Sequence, residues 1–293
     1  MHPAIQASPL ADERPSEKFD YKVEQVVMHT PDGNPTPFLG NRRVDTGEVL
    51  GIVTDRYNPQ QNAELFGTAE DMFRSRGLTD YSRKFVVTHG GARARAVYKF
   101  PTLGIKVKGQ DLTFALKVQN SFDGSLRASF VVGLFRLICS NGMTMPHKTI
   151  NLSQKHTASL NLDLMGRGLD NAIAQFHTSA PLFERMADIR VEQKVGDHIL
   201  DTLVKRKVGG LSERQMEGIK AVWANPRHAE DSERSLWNLY NAVTQHLTHE
   251  VEGNQARPRF ELAERINSGV MAEFARAARS NAGVESLLDL SLN

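Results

Sequence analysis

The sequence is poor in cysteine, since Cys139 is the only one in 293 residues. A single thiol cannot form a disulfide within the chain or supply a cysteine-based zinc site, and it fits a reducing compartment. Long apolar runs are missing too, because none approaches the length that spans a bilayer. The first residues also lack the basic-then-apolar pattern of a secretory signal. We therefore expect a cytoplasmic protein that has no membrane partner.

Recognisable catalytic motifs are absent as well. The sequence has no G-x-S-x-G elbow, and the glycines at 166–168 and 209–210 lack the trailing Lys-Ser/Thr of a phosphate-binding loop. His246 and His249 follow neither the H-E-x-x-H nor the H-x-x-E-H order. The absence of both orders favours surface or capping histidines over zinc ligands. We therefore predict no catalytic residue, no metal and no cofactor.

Positive charge is concentrated in one stretch, although the whole chain carries only +2. Between residues 81 and 160 there are twelve basic and two acidic side chains, a net charge of +10, which leaves −8 for the remainder. Such segregation indicates a localised anion-binding surface. The twelve basic residues are Arg83, Lys84, Arg93, Arg95, Lys99, Lys106, Lys108, Lys117, Arg127, Arg136, Lys148 and Lys155.

The first third of the chain predicts a tail, a strand and a helix. Residues 1–18 are rich in proline and charge and lack periodicity, which is typical of a disordered tail. The branched residues of 48–57 predict a strand. Asn62 is then the expected N-cap of a helix that ends at Gly77.

From residue 83 to about 152 the side chains alternate with the period of an antiparallel sheet. Turns are predicted at Gly90-Gly91, Asp123-Gly124 and Asn141-Gly142. The alternation places Arg93, Arg95 and Lys99 on one face of their strand and Tyr98 on the other. Arg136 shares the parity of apolar neighbours, so we expect it to meet a carboxylate from the helical half or, less favourably, a ligand.

After about residue 153 the apolar spacing becomes helical. Ser212 and Gln215 form a predicted capping box, and an alanine-rich helix is expected over roughly 260–280. The predicted fold class is α+β: a twisted antiparallel sheet with one packed helix, followed by a mostly helical C-terminal half. We assign 19–152 to the sheet domain and 153–293 to a helical region that packs on the sheet.

The basic strands predict a nucleic-acid interface. Cations along a groove and aromatic rings beside them are what single-stranded nucleic acid requires. Lys and Arg can also merely solvate an exposed sheet or protect its edge, and for any one residue that interpretation is slightly favoured. The predicted cations are Arg93, Arg95, Lys99, Lys106, Lys108, Lys117 and Arg127, with Tyr98 and Phe122 as stacking rings.

Three motifs, "RYNPQQNAELF", "VQNSFDGSLRASFVVGLFRLICSNGMT" and "SLWNLYNAVTQHLTHE", carry a resemblance to a known family. Over roughly residues 48–252 the chain resembles the phage/plasmid-like protein family, a domain of unknown function found in phages, prophages and plasmids. The resemblance implies a mobile-element origin and transfers no catalytic residue. The order of strands and helices is also similar, at the level of topology alone, to phage single-strand annealing proteins, which oligomerise and lay DNA along a basic groove.

These observations predict a non-catalytic protein of phage or plasmid DNA metabolism. It would bind single-stranded DNA through the basic sheet and promote annealing as a homo-oligomer. One alternative is a protein-interaction or anti-defence factor whose basic surface meets an acidic host protein. Another is an enzyme whose site assembles from distant Asp, Glu and His.

Overall fold

The computed structural model describes residues 19–136, 142–144, 151–154, 162–252 and 260–288. The predicted tail, Cys139 and Asn141 lie outside these residues, as does the side chain of Arg136. The predictions made for them are therefore not examined by the coordinates.

A three-stranded antiparallel sheet opens the described chain, in the order β1-β2-β3. Its strands are β1 (Val23–His29), β2 (Pro35–Arg43) and β3 (Val49–Thr54). One face of this sheet is buried, because Val23 and Leu50 join a small core with Tyr21, Ala92 and Phe122. Only β3 was predicted as a strand, since exposed prolines around the first turn obscure the other two.

Helix α1 (Asn62–Arg74) follows β3. Its buried face includes Leu65, Phe66 and Phe73, and it ends before Gly77, whose φ of 70° confirms the predicted stop. The prediction that Asn62 caps this helix is wrong. Gln61 occupies the cap position, and the Asn62 side chain instead donates to the Phe19 carbonyl and accepts from Asn120 Nδ2.

A six-stranded antiparallel sheet runs in the order β4-β5-β6-β7-β8, and β9 pairs with β7. The predicted turn at Gly90-Gly91 joins β4 to β5, and Asp123-Gly124 lies in the connection from β6 to β7. Sequence analysis missed the tight turn between β5 and β6, where Lys108 and Gly109 both have positive φ. The strands are β4 (Ser82–Thr88), β5 (Arg93–Val107), β6 (Gln110–Ser121), β7 (Ala128–Arg136), β8 (Gly142–Thr144) and β9 (Asn151–Gln154).

The rest of the described chain is helical, which confirms the predicted fold class. The capping box at Ser212 and Gln215 is present. A π-helical segment, Leu247–Glu252, extends helix α6, and every residue of α6 is buried. The helices are α2 (Leu162–His177), α3 (Ala180–Asp188), α4 (Gln193–Lys205), α5 (Glu213–Ala224), α6 (Leu236–His246), α7 (Phe260–Arg279) and α8 (Glu285–Leu288).

Contacts divide the chain into two compact units that are not continuous in sequence. The first comprises the described parts of 1–100, 116–131 and 151–166, and the second those of 101–115, 132–150 and 167–293. The domain boundary predicted near residue 152 stays a prediction. Within the described residues, no helix combines the length and the apolar character needed to cross a membrane.

Candidate nucleic-acid interface

The two aromatic rings predicted to stack on bases are part of the core. Tyr98 is fully buried, 4.9 Å from the Phe73 ring centroid, and its hydroxyl lies 3.1 Å from Glu70 Oε1. Burial raises the pKa of Tyr98, and the charge of Glu70 raises it further. Phe122 is equally buried beside Tyr21. The prediction that these rings stack on bases is therefore wrong for this structure, because neither ring reaches the surface.

Arg93 is paired within its own unit with a carboxylate from the connection between β6 and β7. Its Nε donates to Asp123 Oδ2 at 2.8 Å, and both side chains are mostly buried. Burial alone would raise the pKa of Asp123, but hydrogen bonds from Ser125 and Arg93 hold it below its ordinary value. This ion pair ties the connection between β6 and β7 to the start of β5. Because Asp123 is negatively charged, it offsets the charge of Arg93.

Lys106 and Lys108 belong to the second unit and also have acidic partners. Lys106 Nζ lies 2.8 Å from Asp111 Oδ1, and Lys108 Nζ lies 2.6 Å from Asp188 Oδ1. The hydrogen bond to Asp188 raises the pKa of Lys108. Both pairs are solvent-exposed, and such pairs contribute little to stability and can exchange partners.

Besides Arg93, which is paired with Asp123, four cations of the first unit lie on one face of strands β4 to β6, and we call these four the cationic strip. Strand pairing aligns Lys84 with Val97, Val86 with Arg95, and Ser82 with Lys99. Directly paired residues share a face of a sheet. Asn120 of β6 donates to Asn62 of α1, so the side chain of Asn120 lies on the face of the sheet that meets α1. Lys117 has the opposite parity on β6 and therefore lies on the other face, with the cations of β4 and β5. The strip consists of Lys84, Arg95, Lys99 and Lys117.

The strip is more buried than alternation predicts. Arg95 is 5% exposed and Lys117 3% exposed, so the prediction of an open basic face is wrong at these two positions. Both side chains interact with the rest of the chain, as buried charges must. A phosphate can reach Lys84, which is exposed, and Lys99, which is half-buried.

Lys99 is electrostatically coupled to Lys84. Burial lowers the pKa of Lys99, and the neighbouring positive charge of Lys84 lowers it further. Two like charges held on one face repel each other, and a bound anion relieves that repulsion. The strip is therefore suited to an anionic ligand. Lys84 is one of the twelve basic residues but was not among the predicted site residues, because only the pairing of β4 with β5 places it beside Lys99.

Arg127 immediately precedes β7 and is exposed. The loop before it is anchored, because Ser121 Oγ donates to the Leu126 carbonyl at 3.0 Å and the Tyr57 hydroxyl donates to the Ser121 carbonyl at 2.5 Å. Arg127 thus keeps the solvent access that its position beside a turn predicts. A phosphate can therefore contact Arg127, as it can Lys84 and Lys99.

The polar side chains of the motif "SLWNLYNAVTQHLTHE" are structural in the described chain. Asn238 Nδ2 donates to the Glu233 carbonyl at 2.9 Å, and Asn241 Nδ2 donates to Asp231 Oδ1 at 3.2 Å. These bonds fasten the preceding loop to α6. His246 is buried, so of the two predicted alternatives, a surface or a capping histidine, the surface position is wrong for it. Among the described residues, no group of three or more His, Cys, Asp or Glu could hold a metal ion.

Comparison with known protein families finds one matching model, described as Domain of unknown function (DUF932), over residues 49–282. This match covers most of the chain, so the protein belongs to that family. No curated protein and no solved structure matches the sequence or the fold. The family membership specifies no ligand.

Proposed function

We propose that this member of a family of unknown function binds single-stranded DNA through the cationic strip and Arg127, without catalysing a reaction. The biological role would be in phage or plasmid DNA metabolism, with strand annealing as the process served. The direct contacts would be Lys84, Lys99 and Arg127. The binding mode differs from the one predicted from sequence, because the rings of Tyr98 and Phe122 are withdrawn into the core.

The placement of Lys84 and Lys99 on one face of β4 and β5 is the observation that carries this proposal. Lys84 is exposed and Lys99 is half-buried, so both ammonium groups can be reached from solvent. A phosphate that contacts both would interact favourably with two positive charges at once. Regularly spaced phosphates are the anion that can satisfy several cations along a strand at once, and this supports a nucleic acid over a small anion.

Charge reversal at Lys84 tests the strip with little risk to the fold, because this side chain is exposed. Lys84→Glu should weaken binding to a single-stranded oligonucleotide about tenfold at moderate salt, since one phosphate contact becomes a repulsion. Fluorescence anisotropy of a labelled oligonucleotide measures the effect. Arg95 and Lys117 are poor choices for this test, because a charge reversal at a buried position tests folding.

Lys194→Glu is the matched control. Lys194 is exposed at the start of α4, in the second unit, and the substitution changes the net charge by the same amount. It should leave the affinity close to that of the unaltered chain. Equal affinity in the Lys84→Glu variant and the unaltered chain would reject the strip as the binding surface. Polyglutamate binding as tight as DNA binding, and as sensitive to Lys84→Glu, would favour the acidic-protein alternative.

A further inference from the structure

Exposed apolar surface is concentrated in the three-stranded sheet. Among the described residues, the large hydrophobic side chains that are clearly exposed all belong to this sheet and the turn after β2. Soluble proteins seldom gather such residues on one small element unless it contacts a partner. They are Val27, Phe38, Val44, Val49 and Ile52.

Strand pairing shows that most of these residues share one face. Ile52 pairs with Gly40, and Gly40 pairs with Val26, so these three residues lie on one face. Asn41 and Gly51 lie on the other face, which contacts Phe122 and Asp123. The side chains of Val26, Met28 and Val49 close over Gly40, within 3.4 Å of where a Cβ would lie. The result is a continuous patch. We call it the outer apolar face, and its members are Val26, Met28, Phe38, Val49 and Ile52.

The charges on this face are balanced. Glu24 and Arg42 have the same parity as Val26 and Gly40, and they form an ion pair at 2.6 Å. The cationic strip, by contrast, carries charges of one sign. A polyanion gains little from a face with no excess of cations. A second copy of this chain meets no like-charge repulsion here, because each face presents one carboxylate and one guanidinium.

We propose that the outer apolar face binds the same face of a second copy, so that two three-stranded sheets pack face to face about a two-fold axis. Sheets that bury apolar faces against each other in this way are a common arrangement. With the usual strand spacing and rise, the face measures roughly 14 by 23 Å, or about 300 Å² per copy. The interface of about 600 Å² is smaller than the roughly 1,200 Å² of stable complexes. The association is therefore reversible, with a dissociation constant in roughly the micromolar range or weaker.

Sedimentation velocity over about a hundredfold range of concentration, up to the high micromolar, tests this association. The weight-average mass of the full chain should rise from 32.6 kDa towards twice that value. Ile52→Asp and Phe38→Asp place a charge on side chains that are 60% and 46% exposed. Each substitution occurs twice in a two-fold dimer, so each should raise the dissociation constant at least about tenfold.

Val27→Asp is the matched control. Val27 is 49% exposed in the same sheet, but it pairs with Leu39 and has the parity of the other face. This variant should associate as the unaltered chain does. A mass that stays at one copy at every concentration would overturn the proposal, and so would unchanged association of both outer-face variants. Because the variants alter exposed side chains, circular dichroism should show native helix and strand content in all three.

Discussion

His246 lies at the end of α6, buried among residues of the second unit, with its imidazole packed against Gly218 of α5. Burial lowers the pKa of this histidine below its ordinary value of 6.5, and the charge of Glu250 offsets only part of the effect. The unfolded chain therefore takes up a proton at a higher pH than the folded chain does. Linkage then requires the folded state to lose stability as the pH falls below about 6.5.

This sign gives a prediction for His246→Gln. Above pH 6.5 the histidine is neutral in both states and contributes no pH dependence; below it, each unit of pKa difference can cost up to about 1.4 kcal/mol. Denaturant unfolding at pH 7.5 and 5.5 should show a smaller loss of stability in His246→Gln than in the unaltered chain. His249→Gln, at an exposed position, should retain the full loss. An equal loss of unfolding free energy between pH 7.5 and 5.5 in all three proteins would contradict the role assigned to His246.

Individual residues show where sequence reasoning reaches its limit. Alternation along β5 separated Tyr98 from Arg93, Arg95 and Lys99, but it did not show that the face of Tyr98 is the buried one. It could not show that the other side of the sheet is covered at Arg95, nor that a carboxylate thirty residues away would pair with Arg93. Periodicity describes one element at a time, whereas burial and ion pairing depend on which elements come together.

At the scale of elements, close backbone approach determines how β3 meets the turn after β6. A Cβ at Gly51 would lie 2.9 Å from the Phe122 carbonyl oxygen and would collide with the Asp123 backbone. Gly67, in the middle of α1, has no atom within 4 Å of the same position. The two glycines thus have opposite roles, since one is required by packing and the other weakens a helix.

Substitution of these glycines by alanine should have effects of opposite sign. Gly51→Ala forces β3 away from the backbone of Phe122 and Asp123 and should destabilise the chain by about 1–3 kcal/mol. Gly67→Ala should stabilise it by roughly 0.5–1 kcal/mol, because alanine favours a helix interior. Urea unfolding with free energies extrapolated to water measures both. A neutral Gly51→Ala would show that the packing of β3 against this turn is loose.

Local signals predicted the turns that contain paired glycine or Asp-Gly, as well as the capping box. They missed the β5–β6 turn because Lys108-Gly109 lacks the asparagine or aspartate that usually marks such a turn, and Lys108 is held in a left-handed conformation there. Strand β2 was missed because it contains proline and exposes much of its surface. Elements with strong local preferences can be read from sequence, and those selected by packing cannot.

At the scale of the whole molecule, the two proposals concern different surfaces of the first unit. The cationic strip is proposed to bind an anion through charge, and the outer apolar face is proposed to bind a second copy through burial of apolar side chains. Self-association would present two strips to one strand of DNA, which raises the apparent affinity without any new contact. Substitutions on the outer apolar face should therefore weaken DNA binding only at protein concentrations where the chain associates.

The salt dependence of DNA binding tests the central claim most directly. For single strands, each phosphate contact contributes about −0.7 to the slope of log K against log salt, so contacts by Lys84, Lys99 and Arg127 give a slope of about −2. Anisotropy titrations of the unaltered chain with a single-stranded oligonucleotide, at dilutions where it does not associate, provide the slope. A value near −2 that becomes shallower in Lys84→Glu is the predicted result. A slope near zero, or no binding at low salt, would contradict it.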